Sequence, residues 1–198
     1  NPKRTSNEAN QLGTYSGKIE FTSESLSEHF PDDEERPVSP RYIDSWEGHK
    51  SPLADKYPLQ LLSPHPRFTF HTHYDGHTPS LDDIPGHRLK IDGYAYWPAR
   101  INPEDAAARG IKDGDIVKLY NDRAAGVLCA AVITGRVRPG IIHAYASSGV
   151  YDPLEPGEPN SIDRGGCVAM LTPTKLMSKN VPGMAPNSCL IEIERWEA

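Results

Sequence analysis

Between Ser63 and His73 the chain gathers Ser63, His65, Arg67, His71, Thr72 and His73. Hydroxyls, imidazoles and a guanidinium in one short stretch make a donor set that can hold phosphate oxygens and the polar edges of a heterocycle. A metal is the competing chemistry. His71 and His73 lie two apart, which on a strand places both rings on one face, with His65, Asp75 and His77 close in sequence. No fourth ligand stands at a diagnostic spacing, so histidines acting as hydrogen-bond donors are the favoured reading. A second polar loop, Ser161 to Ser178, carries Asp163, Arg164 and Lys175 around a flexible Gly165-Gly166, and two such loops on one small body form a clasp for a polar ligand.

Other chemistries lack their parts. Ser147-Ser148-Gly149 is not a Gly-x-Ser-x-Gly elbow, and no cysteine has a recognisable neighbouring base. There is no Gly-x-Gly-x-x-Gly fingerprint and no P-loop. Asp82-Asp83 sits among turn residues and reads as a solvated face, not an acid–base pair. No complete catalytic constellation exists in the chain.

The elements that position the donor stretch are short. Leu59 to Leu62 reads as a strand, ended by Pro64 and Pro66, which supply no backbone N–H and hold their predecessors extended. His71 to Trp97 shows turn signals at Asp75-Gly76, Pro85-Gly86 and Asp92-Gly93, and reads as a long ordered loop with one helical turn. Asn102 as cap, Pro103 at the first position, acidic Glu104 and Asp105, and Gly110 as stop predict a helix over Pro103 to Arg109. Asp115 to Tyr120, Val127 to Thr134, Ile141 to Ala146 and Ser188 to Arg195 predict strands, with Asn121 to Gly126 as a wide hairpin connection. Short strands and tight turns at this spacing point to a mainly β fold, a small barrel with a few short helices and long ordered loops.

Residues 1–56 are polar and proline-rich, with one candidate strand at Lys18-Ile19-Glu20-Phe21 and an acidic run from Asp32 to Glu35. They read as an irregular arm anchored by Tyr42, Ile43, Trp46 and Leu53, and residues 57–198 as the barrel domain. The apolar share is 37%, with 19 prolines and 16 glycines, which argues against a helical bundle. A net charge of −6 argues against nucleic-acid and anionic-membrane surfaces. Three cysteines without a paired spacing imply a reducing compartment, and no apolar run is long enough to span a bilayer. The chain begins with Asn1 and not Met, which implies a processed chain or a fragment of something longer.

Four stretches in register carry a resemblance. Tyr15-Ser16-Gly17-Lys18-Ile19-Glu20-Phe21, Ser63-Pro64-His65-Pro66 with His71-Thr72, Ile101-Asn102-Pro103-Glu104-Asp105-Ala106-Ala107, and Gly110-Ile111-Lys112-Asp113-Gly114-Asp115 resemble the C-terminal domain of molybdopterin-dependent oxidoreductases of the dimethyl sulfoxide reductase family. The resemblance implies a double-psi β-barrel. With the remainder of a large catalytic subunit, that barrel encloses two molybdopterin guanine dinucleotides on molybdenum or tungsten, the metal being held by an earlier domain. It makes Ser63, His65, Arg67, His71, Thr72 and His73 the expected contacts to phosphates and pterin edges, with Lys175, Asn187 and Ser188 as further candidates. Gly93-Tyr94-Ala95-Tyr96-Trp97 and Ser188-Cys189-Leu190-Ile191-Glu192-Ile193 look most like the branch that moves hydroxyl groups between polyhydroxybenzenes. That branch implies a phenolic substrate, an iron–sulfur small subunit and the cytoplasm of an anaerobe.

The sequence departs from the family pattern in three places. Thr69 stands where the sulfoxide-reductase branch tends to have arginine, with Arg67 two residues earlier. Ala169-Met170-Leu171-Thr172 replaces an Asn-Val-Leu-Thr segment. Ala124-Ala125 separates Asp122-Arg123 from the following glycine, which predicts the wider hairpin. Two other readings stay open: another enzyme of the family acting on a sulfoxide, nitrate or formate, and a free-standing metal-binding barrel using His71, His73 and Asp75.

Overall fold

The computed structural model describes residues 11–73, 78–146 and 148–197. The chain divides into two compact units, one made of 1–44 with 175–185 and the other of 45–174 with 186–198.

The larger unit is built on a closed six-stranded barrel. In chain order its strands are β1 (Leu59–Leu62), β4 (Pro98–Ile101), β5 (Ile116–Asn121), β6 (Ala124–Ile133), β7 (Ile141–Ala144) and β10 (Leu190–Arg195), and the order around the barrel is β1-β10-β5-β6-β4-β7. β1 runs parallel to β7 and β4 parallel to β6, while the other four pairings are antiparallel. Alternation produces the core. Leu59 and Leu61, Ala99 and Ile101, Val117 and Leu119, Val127, Cys129 and Ala131, Ile142 and Ala144, and Ile191 and Ile193 all point inward and are buried. The long strand β6 is buried on both faces. Its outward Leu128 and Ala130 meet Tyr96, Leu89, Ile91 and Tyr94 of a hairpin formed by β2 (Leu89–Ile91) and β3 (Tyr94–Tyr96).

That hairpin replaces part of the loop expected from His71 to Trp97. Its turn is Asp92-Gly93 with φ of 48° and 81°, the left-handed pair that a two-residue hairpin requires. The loop also holds the short helix α2 (Pro79–Asp82). The connection between β5 and β6 is narrower than expected: Asn121 pairs with Ala124, leaving only Asp122 and Arg123 in the turn. Gly126 sits inside the strand at φ 146°, beside a register shift at Leu119/Asn121, and a Cβ there would lie 2.6 Å from Lys118 Cγ and 3.2 Å from the Leu119 carbonyl. The two alanines and the glycine therefore lengthen the strand through a bulge instead of widening the turn.

The helix α3 (Pro103–Ala107) follows its start signals. Asn102 Oδ1 accepts the Glu104 N–H at 2.9 Å and its Nδ2 donates to the Val137 carbonyl at 2.7 Å, so one amide caps the helix and ties it to a neighbouring turn. Gly110, at φ 64°, allows the chain to leave the helix.

The smaller unit holds helix α1 (Glu24–His29), capped by the Ser23 hydroxyl, and the antiparallel pair β8 (Leu176–Ser178) and β9 (Val181–Met184). These three elements lie where the sequence indicated arm and loop, whereas the strand expected at Lys18–Phe21 is absent. No hydrophobic side chain of this unit is buried among those described. Tyr42 and Ile43, expected as anchors, are exposed, while Trp46 and Leu53 of the barrel unit are half-buried. Among the described residues no helix is long and apolar enough to cross a membrane.

Candidate functional site

β1 delivers the donor stretch. Pro64 cannot continue the β1–β7 ladder as a donor, but its carbonyl accepts the Ala146 N–H at 3.0 Å, so the chain leaves the barrel at a fixed point. Just before it, Ser63 is buried, and both its N–H (2.9 Å) and its hydroxyl (3.3 Å) donate to Asn187 Oδ1. On either side of the buried Pro66 the chain turns outward: His65, Arg67, His71, Thr72 and His73 are all exposed. The Arg67 guanidinium lies 5.4 Å above the Phe68 ring.

His71 and His73 do not sit on a strand. The His73 N–H donates to the Phe70 carbonyl at 2.9 Å and His71 takes φ 53°, so the four residues Phe70 to His73 form a tight turn. The three imidazoles assemble around Phe70: the His71 ring is 4.8 Å from both His65 and Phe70, and His73 stacks on Phe70 at 6.0 Å. Among the described residues no group of three or more His, Cys, Asp or Glu is arranged to hold a metal, and Asp75 and His77 lie outside those residues.

The remaining candidates occupy three different settings. Asn187 is exposed and holds Ser63. Ser188 is buried and its hydroxyl accepts the Glu47 N–H at 3.1 Å. Lys175 belongs to the smaller unit, with its ammonium 3.8 Å from Glu35. In the second polar loop, Asp163 is fully buried and accepts the N–H groups of Asp152 (2.8 Å), Gly165 (2.9 Å) and Cys167 (2.7 Å), so its carboxylate shapes that loop. Arg164 is bound through Nε and Nη2 to Asp152, which also accepts the Tyr94 hydroxyl at 2.9 Å. Burial first, and then Asp152, raises the Tyr94 hydroxyl's pKa well above the usual phenol range.

Beneath the donor turn runs a chain of rings that sequence reasoning missed. Phe68 meets His87 at 5.9 Å, His87 meets Trp97 at 4.9 Å, Trp97 meets Tyr145 at 5.7 Å and Tyr145 meets His143 at 5.0 Å. The Arg88 guanidinium lies 4.1 Å over the Trp97 ring and pairs with Asp82 at 3.1 Å. Burial and the adjacent Arg100 push the His143 imidazole below its ordinary pKa, favouring its neutral form. The only signal in the sequence was the aromatic run ending at Trp97. Among the described residues, Thr69 Oγ1 and Trp97 Nε1 are buried polar atoms of this region with no hydrogen-bond partner.

Residues 59–189 match the family described as Molydopterin dinucleotide binding domain. The chain is 49% identical over 191 residues to the pyrogallol hydroxytransferase large subunit of Pelobacter acidigallici, an overlap covering 94% of this chain and 22% of that protein. It is 35% identical over 187 residues to the dimethyl sulfoxide/trimethylamine N-oxide reductase of Cereibacter sphaeroides, covering 94% of this chain and 21% of the relative. Among solved structures, acetylene hydratase from Pelobacter acetylenicus shares the fold with a TM-score of 0.61 at 19% identity, over 91% of this chain and 24% of that one. The chain thus spans about a fifth of the length of the curated relatives it matches. With its barrel, its donor turn after β1 and the family match from the first residue of that strand onward, this chain belongs to the molydopterin (molybdopterin) dinucleotide binding domain family.

Proposed function

We propose that this chain is the dinucleotide-binding part of a molybdenum catalytic subunit that moves a hydroxyl group between polyhydroxybenzenes, from pyrogallol towards phloroglucinol. The observation that carries this reading is the 49% identity to the pyrogallol hydroxytransferase large subunit across 94% of the chain, against 35% to the reductase. In this proposal residues 57–198 are the dinucleotide-binding domain, a barrel of double-psi type, and 1–56 the arm leading into it. The remainder of the large subunit, an iron–sulfur small subunit and a phenolic substrate are its partners, in the cytoplasm.

The donor set fits the group. His65, Arg67, His71, Thr72 and His73 are exposed on one turn and the stretch leading into it, and together they present cationic and neutral donors to an acceptor-rich diphosphate. Ser63, held by Asn187, sets where that turn leaves the barrel. Asn187, Ser188 and Lys175 complete the proposed contact set. Asn187 and Ser188 act through the β1 and β10 ends. When bound, the metal and pterins supply the redox and oxygen-transfer chemistry, while this chain binds, orients and excludes water.

The test uses the full-length catalytic subunit. His71→Ala should release pterin and guanine nucleotide roughly tenfold faster on dilution, the loss expected for one charge-assisted contact. Unchanged pterin and molybdenum content per polypeptide would remove His71 from the contact set. A wild-type subunit that carries one first-row metal and no pterin would favour the metal-binding barrel instead.

A further inference from the structure

We infer that Trp97, together with Thr69, is a contact for the bound dinucleotide whose hydrogen bonds are completed only on binding. This rests on the function proposed above.

Trp97 is 1% exposed, and its indole N–H faces no acceptor among the described residues. An indole nitrogen can only donate, so nothing but an acceptor can satisfy it. Several buried polar side chains of the barrel unit find their partners within it. Ser63, Asn102, Asn121, Ser161, Asp163 and Ser188 are all buried and all hydrogen-bonded. Against that background the orphaned indole N–H and threonine hydroxyl call for a reason. Thr69 lies in the donor stretch itself, next to Phe68, whose ring leads through His87 to Trp97.

The indole cannot turn to find a partner within the protein. Gly166 packs against its edge so closely that a Cβ there would lie 2.4 Å from Trp97 Cδ1, the atom bonded to Nε1. The Arg88 guanidinium covers the ring face. The direction of the N–H is therefore fixed before any ligand arrives, as in a preorganised binding site. A diphosphate fits both orphans, because its oxygens only accept, while an indole and a hydroxyl can both donate.

The experiment compares wild type, Trp97→Phe and Thr69→Val in the full-length catalytic subunit. Phenylalanine keeps an aromatic ring and removes the N–H; valine keeps the shape of threonine and removes the hydroxyl. Two quantities are read: the rate at which pterin and guanine nucleotide leave the protein on dilution, and the melting midpoint of the dinucleotide-free protein. The expected result is about tenfold faster loss for each variant, with a dinucleotide-free midpoint at or above wild type because an unsatisfied buried donor has been removed. Retention equal to wild type in both variants overturns the assignment. If Trp97→Phe lowers the dinucleotide-free midpoint through lost packing, Thr69→Val decides: faster loss supports the assignment and wild-type loss overturns it. A wild-type subunit with neither pterin nor guanine nucleotide sinks the proposed function and this assignment with it, whereas loaded wild type with unaffected variants sinks this assignment alone.

Discussion

One side-chain oxygen, Asn187 Oδ1, receives both the N–H and the hydroxyl of Ser63, at 2.9 and 3.3 Å, joining the end of β1 to the start of β10. The donor turn hangs from this junction. Asn187→Ala should cost about 1–2 kcal/mol by leaving the Ser63 N–H without its acceptor. That corresponds to a drop in melting midpoint of a few degrees for a chain of this size, measurable by differential scanning calorimetry. A midpoint identical to wild type would mean that Ser63 finds another partner.

Asp163 supports the second polar loop in a similar way, with three backbone N–H groups on one buried carboxylate. Asp163→Asn leaves the shape intact but turns one oxygen into a donor, so at least one of those N–H groups faces another donor. The expected loss is about 3 kcal/mol in chemical denaturation. Hydrogen exchange should speed up first at the amides of Asp152, Gly165 and Cys167, and an unchanged exchange pattern would count against this role.

The cysteines differ in reactivity. Burial pushes the thiols of Cys129 and Cys189 up to about 12, so neither carries thiolate at neutral pH. Cys167 is also raised by burial, but it is half-buried. Titration of the native protein with a thiol reagent at pH 8 should modify Cys167 first and leave the other two until denaturant is added. Early modification of Cys129 would contradict the packing of β6.

In the smaller unit, Asp33 Oδ2 accepts from Asn180 (3.0 Å), from Arg36 through Nε and Nη2, and from the Ser178 hydroxyl. These bonds, that of Asn180 foremost, lower its pKa from 3.8 to about 2. A folded-state value below the unfolded one means that the stabilisation is fully present above about pH 4 and is lost as the pH falls through about 2. Asp33→Asn should abolish this acid dependence in the β8–β9 pair, observed by amide exchange between pH 5 and 2 on the order of one-unit steps. A pair whose exchange is equally acid-sensitive in both proteins would refute it.

Much of this was legible in the residues because local rules and tertiary outcome agree. Leu59 and Leu61 alternate and Pro64 stops the ladder, so β1 lies where it was expected; Asn102 and Pro103 fix the start of α3 in the same way. The β2–β3 hairpin escaped because Leu89–Ile91 and Tyr94–Tyr96 are too short to show a period, leaving only Asp92-Gly93 as a signal. The start of β6 escaped because Ala124-Ala125-Gly126 has low strand propensity, and its pairing is imposed by β5. At the site, the dense donors of Ser63 to His73 were visible as residue types. The orphaned atoms of Thr69 and Trp97 were not, since lacking a partner is a property of the packed neighbourhood and not of the residue.

The position of β10 between β1 and β5 has a consequence for biosynthesis. While the chain is being translated, the strands from β1 to β7 emerge first and leave two unpaired edges that only Leu190–Arg195 can fill. Until those residues leave the ribosome, the edges are open to wrong partners and Asn187 has not reached Ser63. Barrel closure, and with it the Ser63–Asn187 junction that carries the donor turn, therefore waits on the last strand of the chain.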